Sequence, residues 1–181
     1  YDKDKRKDFV KAENEAKLFA HMYGQMPHFL KIYNKKIYIH NDIDGDEDPN
    51  SNGLWWAEIQ KKEFHINTIR DKNRYHRCGE KKRYSRCTLT MIHELAHIID
   101  PGAGTIKPAQ WAKARKLDKK KFASEYAKTN SDEDFAESMV SWIVVRHKSD
   151  KISKSDVVKF EKFIPNRFKL FDEMNFNVYP L

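Results

Sequence analysis

The chain has 181 residues, of which 39% are hydrophobic and 34% charged; that is enough for one domain with a packed core and too short for two of ordinary size. No apolar run reaches the roughly 18 to 20 residues that span a bilayer, so a membrane span is excluded for this fragment; the polar composition leads to the expectation of a soluble globular protein, and a monomer is expected. The net charge of +8 raises the question of a nucleic-acid partner, but Lys and Arg are scattered from Lys3 to Lys169 with acids among them. That distribution argues against nucleic acid and reads as a solvated basic face, or one that attracts acidic substrates.

The chain opens on Tyr1 rather than Met, as a processed form or an expressed fragment does, so an export signal would lie outside it. Phe9, Val10, Leu18, Phe19 and Met22 are spaced for an amphipathic helix ending at Gly24. "LKIYNKKIYIHN", residues 30–41, alternates β-branched and aromatic residues and reads as strand, turn, strand. The aspartates at 42, 44, 46 and 48 resemble half of a calcium loop. The glycine stands fourth instead of sixth and no acid fills the twelfth place, so an exposed acidic loop is the better reading.

Residues 54–69, "LWWAEIQKKEFHINTI", predict a hairpin turning around Gln60 to Lys62. Adjacent strand residues face opposite sides of a sheet, so one of Trp55 and Trp56 joins the core and the other is left near the surface, where it can face a groove. Cys78 and Cys87 bracket the basic loop "CGEKKRYSRC" and can close a small disulfide ring in an oxidising compartment. Such a ring stabilises by roughly 2–3 kcal/mol through loop entropy.

"CTLTMIHELAHIID", residues 87–100, puts Leu89, Ile92, Leu95, Ala96 and Ile99 on one helical stripe, stopped by "DPGAG". Further helices are predicted at 108–118, 131–147 and 155–174, the last interrupted by Pro165. Neither repeats nor linker composition divide the chain.

Helical residues four apart project from one face, so His93 and His97 can offer both imidazoles to a single ion. Glu94 lies about 100° further round, where a carboxylate addresses a water on the metal rather than the metal, the position of a general base. Two histidines leave a catalytic zinc one protein ligand short. The metzincin solution needs glycine at 100 and His or Asp at 103; Asp100 and Ala103 stand there instead.

The missing ligand must then come from a second helix, and residues 124–142 offer Glu125, Glu133 and Glu137. Asn130 and Glu133 make a capping box at the start of a helix whose stripe includes Phe135, Met139, Ile143 and Val144. Glu133 and Glu137 share one face, as a ligand and its supporting neighbour do, and spacing does not choose between them. Asp100 follows His97 by three residues and His93 by seven, close enough to accept the outer N–H of an imidazole and fix its tautomer.

"HELAHIID" followed by "EYAKTNSDEDFAES" resembles the zinc metalloproteases related to the catalytic domain of anthrax lethal factor and to the secreted Pro-Pro endopeptidases. In that family a tyrosine stands seven residues before the third zinc ligand, a glutamate, and a second glutamate in a "FAE" segment stands four after it. The resemblance implies that Glu133 completes the zinc site with His93 and His97, that Tyr126 is the oxyanion donor beside Glu94, and that Glu137 is the trailing acid.

It also implies an α+β, zincin-like fold over residues 1–181. An N-terminal helix and a small twisted mixed sheet would occupy 1–88, and the HExxH helix with a C-terminal helical subdomain would occupy 89–181. The expected activity is a zinc-dependent endopeptidase, with one catalytic Zn²⁺ activating water and Glu94 as general base, from a secreted bacterial protease or toxin domain acting on a peptide or host protein. Peptide substrates of such enzymes lie along a strand edge; the 54–69 hairpin is the candidate edge and Trp55 or Trp56 a candidate wall. Two alternatives are a basic, non-catalytic binding module with a structural zinc, and a zinc hydrolase of cell-wall peptides.

Overall fold

A computed structural model describes residues 3–40, 55–67, 78, 81–101, 105–148 and 152–181. The architecture is mixed α+β. The expected acidic loop at 42–53 and most of the basic stretch before residue 81 lie outside the described residues.

Helix α1 (Lys3–Gly24) buries Phe19 and Met22. A short helical turn, α2 (His28–Lys31), follows. A strand was expected to begin here, and the chemistry explains why it does not. Pro27 holds φ at −48°, which suits entry into a helical turn, and the adjacent Phe29 and Leu30 are both buried. Two neighbours facing one core suit a helical turn and oppose the two-sided alternation of a strand. Of the expected pair only β1 (Lys36–His40) forms.

Strands β2 (Trp55–Glu58) and β3 (Glu63–Asn67) make the predicted antiparallel hairpin. Lys62 closes its turn at φ 59°, a left-handed position that a lysine occupies at some cost. β3 is central, with β1 parallel on one side and β2 antiparallel on the other. Period-two alternation sends Trp55, Phe64 and Ile66 into the core, and Trp56, Glu58, Glu63 and His65 to the other face. Trp55 meets Phe19 and Phe64 edge-on at centroid distances of 5.4 and 5.8 Å, the arrangement aromatic quadrupoles favour.

Helix α3 (Lys81–Ile98) starts several residues earlier than the apolar stripe suggests. Its residues Met91, Ile92, Leu95, Ala96, Ile98 and Ile99 are buried, whereas Leu89 is exposed and stands off the stripe on which it was expected. A helix apolar over so much of its circumference must be enclosed; the sheet covers one side and α5 another. Cys87, within α3, is joined to Cys78 by a disulfide, and both are buried.

The remaining elements are α4 (Pro108–Leu117), a 3₁₀ turn (Tyr126–Lys128), α5 (Ser131–His147), α6 (Lys154–Phe163) and α7 (Pro165–Glu173). Pro165 separates α6 from α7, as its missing N–H requires. A buried ionic network fastens α4, α5 and α7 together. Arg167, 1% exposed, donates to Asp118 at 2.9 Å and to Asp134 at 2.8 Å, and Arg115 Nε donates to Asp134 at 2.7 Å. Asp118 also accepts from the backbone N–H groups of Asn166 and Arg167 at 2.9 and 3.2 Å, satisfying two otherwise orphan donors at the start of α7. Among the described residues no helix is long and apolar enough to cross a membrane.

Candidate metal centre

His93 and His97 occupy the last turns of α3, where the i, i+4 spacing brings their Nε2 atoms to 3.2 Å. Oε2 of Glu133 lies 3.0 Å from Nε2 of His93 and 3.5 Å from Nε2 of His97. Zinc ligands at roughly 2.0–2.1 Å in a tetrahedron stand about 3.3 Å apart, and the three separations bracket that value. Two imidazoles and one carboxylate are also a donor set that zinc accepts. The residues therefore fit the ion.

Glu133 is set by its helix start. Oδ1 of Asn130 accepts from the N–H groups of Asp132 and Glu133 at 2.9 and 2.8 Å, fixing the first turn of α5. The carboxylate also gains from the positive end of the helix dipole. One turn on, Oε1 of Glu137 lies 2.9 Å from Nδ1 of His93, and Ser124 hydrogen-bonds the same carboxylate. Glu133 thus faces the inner nitrogens and Glu137 an outer one. A carboxylate on the outer N–H fixes the tautomer and raises ligand basicity. Glu137→Ala is expected to weaken zinc binding by roughly 10- to 100-fold, read by competition against a chromophoric chelator, with the helical circular dichroism unchanged.

Asp100 is buried but is not the outer hydrogen-bond partner of either histidine: Nδ1 of His93 meets Glu137, and Nδ1 of His97 has no hydrogen-bond partner among the described residues. α3 ends at Ile98, so Asp100 lies beyond the helix whose spacing placed it beside the rings. It lines, with Ala57, Glu58, Ile59, Gln60 and Asp132, a groove of about 390 Å³ beside the centre. β2, whose last residues form this wall, ends the sheet among the described residues. Trp55 is 3% exposed and out of reach of a peptide there. Trp56 turns to the opposite face and stacks on His65 at 4.8 Å.

Tyr126, 55% exposed, stands over the His93 ring at 5.9 Å. Ser124 Oγ accepts from the N–H of Ala127 at 3.1 Å and so shapes the turn that presents Tyr126. Ser124 escaped the sequence reading because a lone serine before a turn carries no distinguishing signal. The buried Asp134, beside Glu133, escaped for a similar reason: nothing in its spacing points to Arg115 or Arg167.

Charges in the centre are tightly linked. Burial pushes the Glu133 carboxyl upward, but the imidazoles of His93 and His97 outweigh it and hold the group well below the usual carboxylate range. Burial opposes a charge on His93, yet Glu133, Glu137 and Glu94 outweigh it and push its pKa up to about 10. Desolvation lifts Glu94 to about 7 against the pull of both histidines. Desolvation, aided by the charge of Glu133, lifts Tyr126 to about 12, so its hydroxyl stays protonated.

A ligand must be deprotonated to bind metal. In the metal-free protein His93, raised to about 10, holds its proton throughout the neutral range, and a bound ion must expel it. Apparent zinc affinity is therefore expected to rise about tenfold per pH unit above neutrality and to level off as pH passes the His93 pKa. Calorimetry in buffers of different ionisation enthalpy checks this, and the absence of proton release at pH 7.5 would contradict it. Compared with models of protein families, with curated proteins and with solved structures, the chain matches none.

Proposed function

We propose that this chain is a zinc-dependent endopeptidase with a zincin-like architecture, secreted, acting as a monomer, and akin to the lethal factor and Pro-Pro endopeptidase group in its site. The observation that carries this reading is the convergence of His93, His97 and Glu133, whose donor atoms all lie within 4.8 Å of one another, with Glu94 and Tyr126 both close enough to feel the charge of Glu133.

His93, His97 and Glu133 would hold the ion. Zinc bound there supplies a Lewis acid that brings water near its ionisation point at neutral pH and polarises a peptide carbonyl. Glu94 is suited to take a proton from the attacking water at its carboxylate and return it to the leaving nitrogen, because it follows the ligand His93 directly and desolvation strengthens it as a base. The protonated Tyr126 hydroxyl is suited to donate to the oxyanion that develops on the carbonyl. The edge of β2 and the adjoining groove offer a substrate chain main-chain partners.

The test is cleavage profiling on a peptide library that includes cell-wall stem peptides. Zinc-loaded protein is expected to cleave a subset, to lose the activity in a chelator and to regain it with one equivalent of zinc. Zinc-loaded protein that cleaves nothing would overturn the reading.

A further inference from the structure

A second cluster of ligand-type side chains lies on the face of the sheet turned away from α3. Glu58 on β2 and Glu63 on β3 are cross-strand partners, and His65 follows two residues later, on the same face. Nε2 of His65 is 3.3 Å from Oε1 of Glu58 and 3.9 Å from Oε2 of Glu63. The imidazole is 6% exposed.

Its surroundings hold these groups in place. Tyr38 on β1 and Trp56 on β2 stand directly opposite His65 in the pairing register. Their rings sandwich the imidazole at 4.8 Å on each side, within 14° and 12° of parallel, so the ring plane is fixed. Each carboxylate has a neighbour at its other oxygen. Lys61 takes Oε2 of Glu58 at 2.6 Å, and the Tyr38 hydroxyl makes a long contact of 3.5 Å to Oε1 of Glu63. The two other oxygens are turned toward His65. Outer contacts of this kind orient metal ligands.

We propose that His65, Glu58 and Glu63 form a second divalent-metal site, separate from the His93 centre, that takes zinc or a similar imidazole-binding transition ion. An imidazole nitrogen with two carboxylate oxygens selects such ions over calcium or magnesium, which favour all-oxygen shells. Two carboxylates and a neutral imidazole cancel a divalent charge. The His65–Glu58 spacing of 3.3 Å already matches the about 3.3 Å of a tetrahedral edge, and the three donor atoms lie within 4.8 Å of one another. An ion there ties Glu58 to Glu63 and His65 across the two ends of the 59–62 turn. That turn supplies Ile59 and Gln60 to the groove beside the His93 centre, so the ion braces the groove wall.

Binding of zinc, and of cobalt as a spectroscopic probe, to the whole chain tests this by equilibrium dialysis with metal analysis. Wild type is expected to take two equivalents. His65→Phe, which keeps the aromatic stack, and the isosteric pair Glu58→Gln/Glu63→Gln are each expected to take one. His93→Ala/His97→Ala is also expected to take one, and to keep a metal-induced rise in melting temperature that His65→Phe removes from that background. Occupancy unaffected by the Glu58, Glu63 and His65 substitutions overturns the proposal, as does a single wild-type ion lost with His93 and His97. A single ion lost with His65 and retained without His93 and His97 upholds this site and overturns the proposed hydrolytic centre instead, so the two failures are distinguishable.

Discussion

Glu94→Gln is expected to keep one equivalent of zinc at the His93 centre and to lose peptide hydrolysis by roughly 10²- to 10⁴-fold, the range that a positioned acid–base group contributes. The substitution preserves shape and removes only the ability to accept a proton. Glu94 is half-buried, and desolvation is the largest cause of its raised pKa. The effect should fall on kcat rather than on substrate affinity, because the proton moves only as the bond is made. Metal analysis beside cleavage kinetics separates this outcome from simple loss of zinc. Full activity in Glu94→Gln would sink the mechanism.

Arg167→Leu is expected to cost about 3–5 kcal/mol of folding stability, because it leaves the buried Asp118 without its cation and Asp134 with Arg115 alone. Both carboxylates belong to residues that are 4% exposed or less. For a chain of this size the loss corresponds to a fall of about 10 °C in melting temperature. Denaturant titration should show a lower midpoint at an unchanged slope. The variant also reaches the metal centre, since Asp134 is the neighbour of Glu133 and its grip by Arg115 and Arg167 helps hold the first turn of α5. Adding Asp118→Asn and Asp134→Asn to Arg167→Leu should recover much of the stability, because the buried charges leave with the cation. An Arg167→Leu protein as stable as wild type would show that the network carries little of the fold.

The legible parts of this molecule are those set by short-range periodicity. The spacing of His93 and His97 translates into one face because a helix repeats every 3.6 residues, and the hairpin at 54–69 follows from strand alternation. Asn130 as the cap of α5 was readable for the same reason. The role of Glu137 was not separable from that of Glu133, since both project from one face; only the position of α3 turns one toward Nε2 and the other toward Nδ1 of His93. Asp100 misled because helical spacing was carried past the end of α3, where the chain no longer follows it. Leu30 misled because a branched, aromatic-rich stretch suits a strand until Pro27 begins a helical turn before it. Pairs far apart in sequence, such as Arg167 with Asp118 or His65 with Tyr38, leave no periodic trace.

Every group assigned to the His93 centre or to a proton there lies on α3, on α5 or on the turn that joins residue 124 to Asn130, and none lies on the sheet. For a peptidase of this design, reactivity and selectivity are therefore inherited separately. Changes in the 59–62 turn or along β2 can re-aim the groove while the ligands of the His93 centre stay where they are. A lineage built on this plan can exchange one target for another by single steps, without passing through an inactive ancestor.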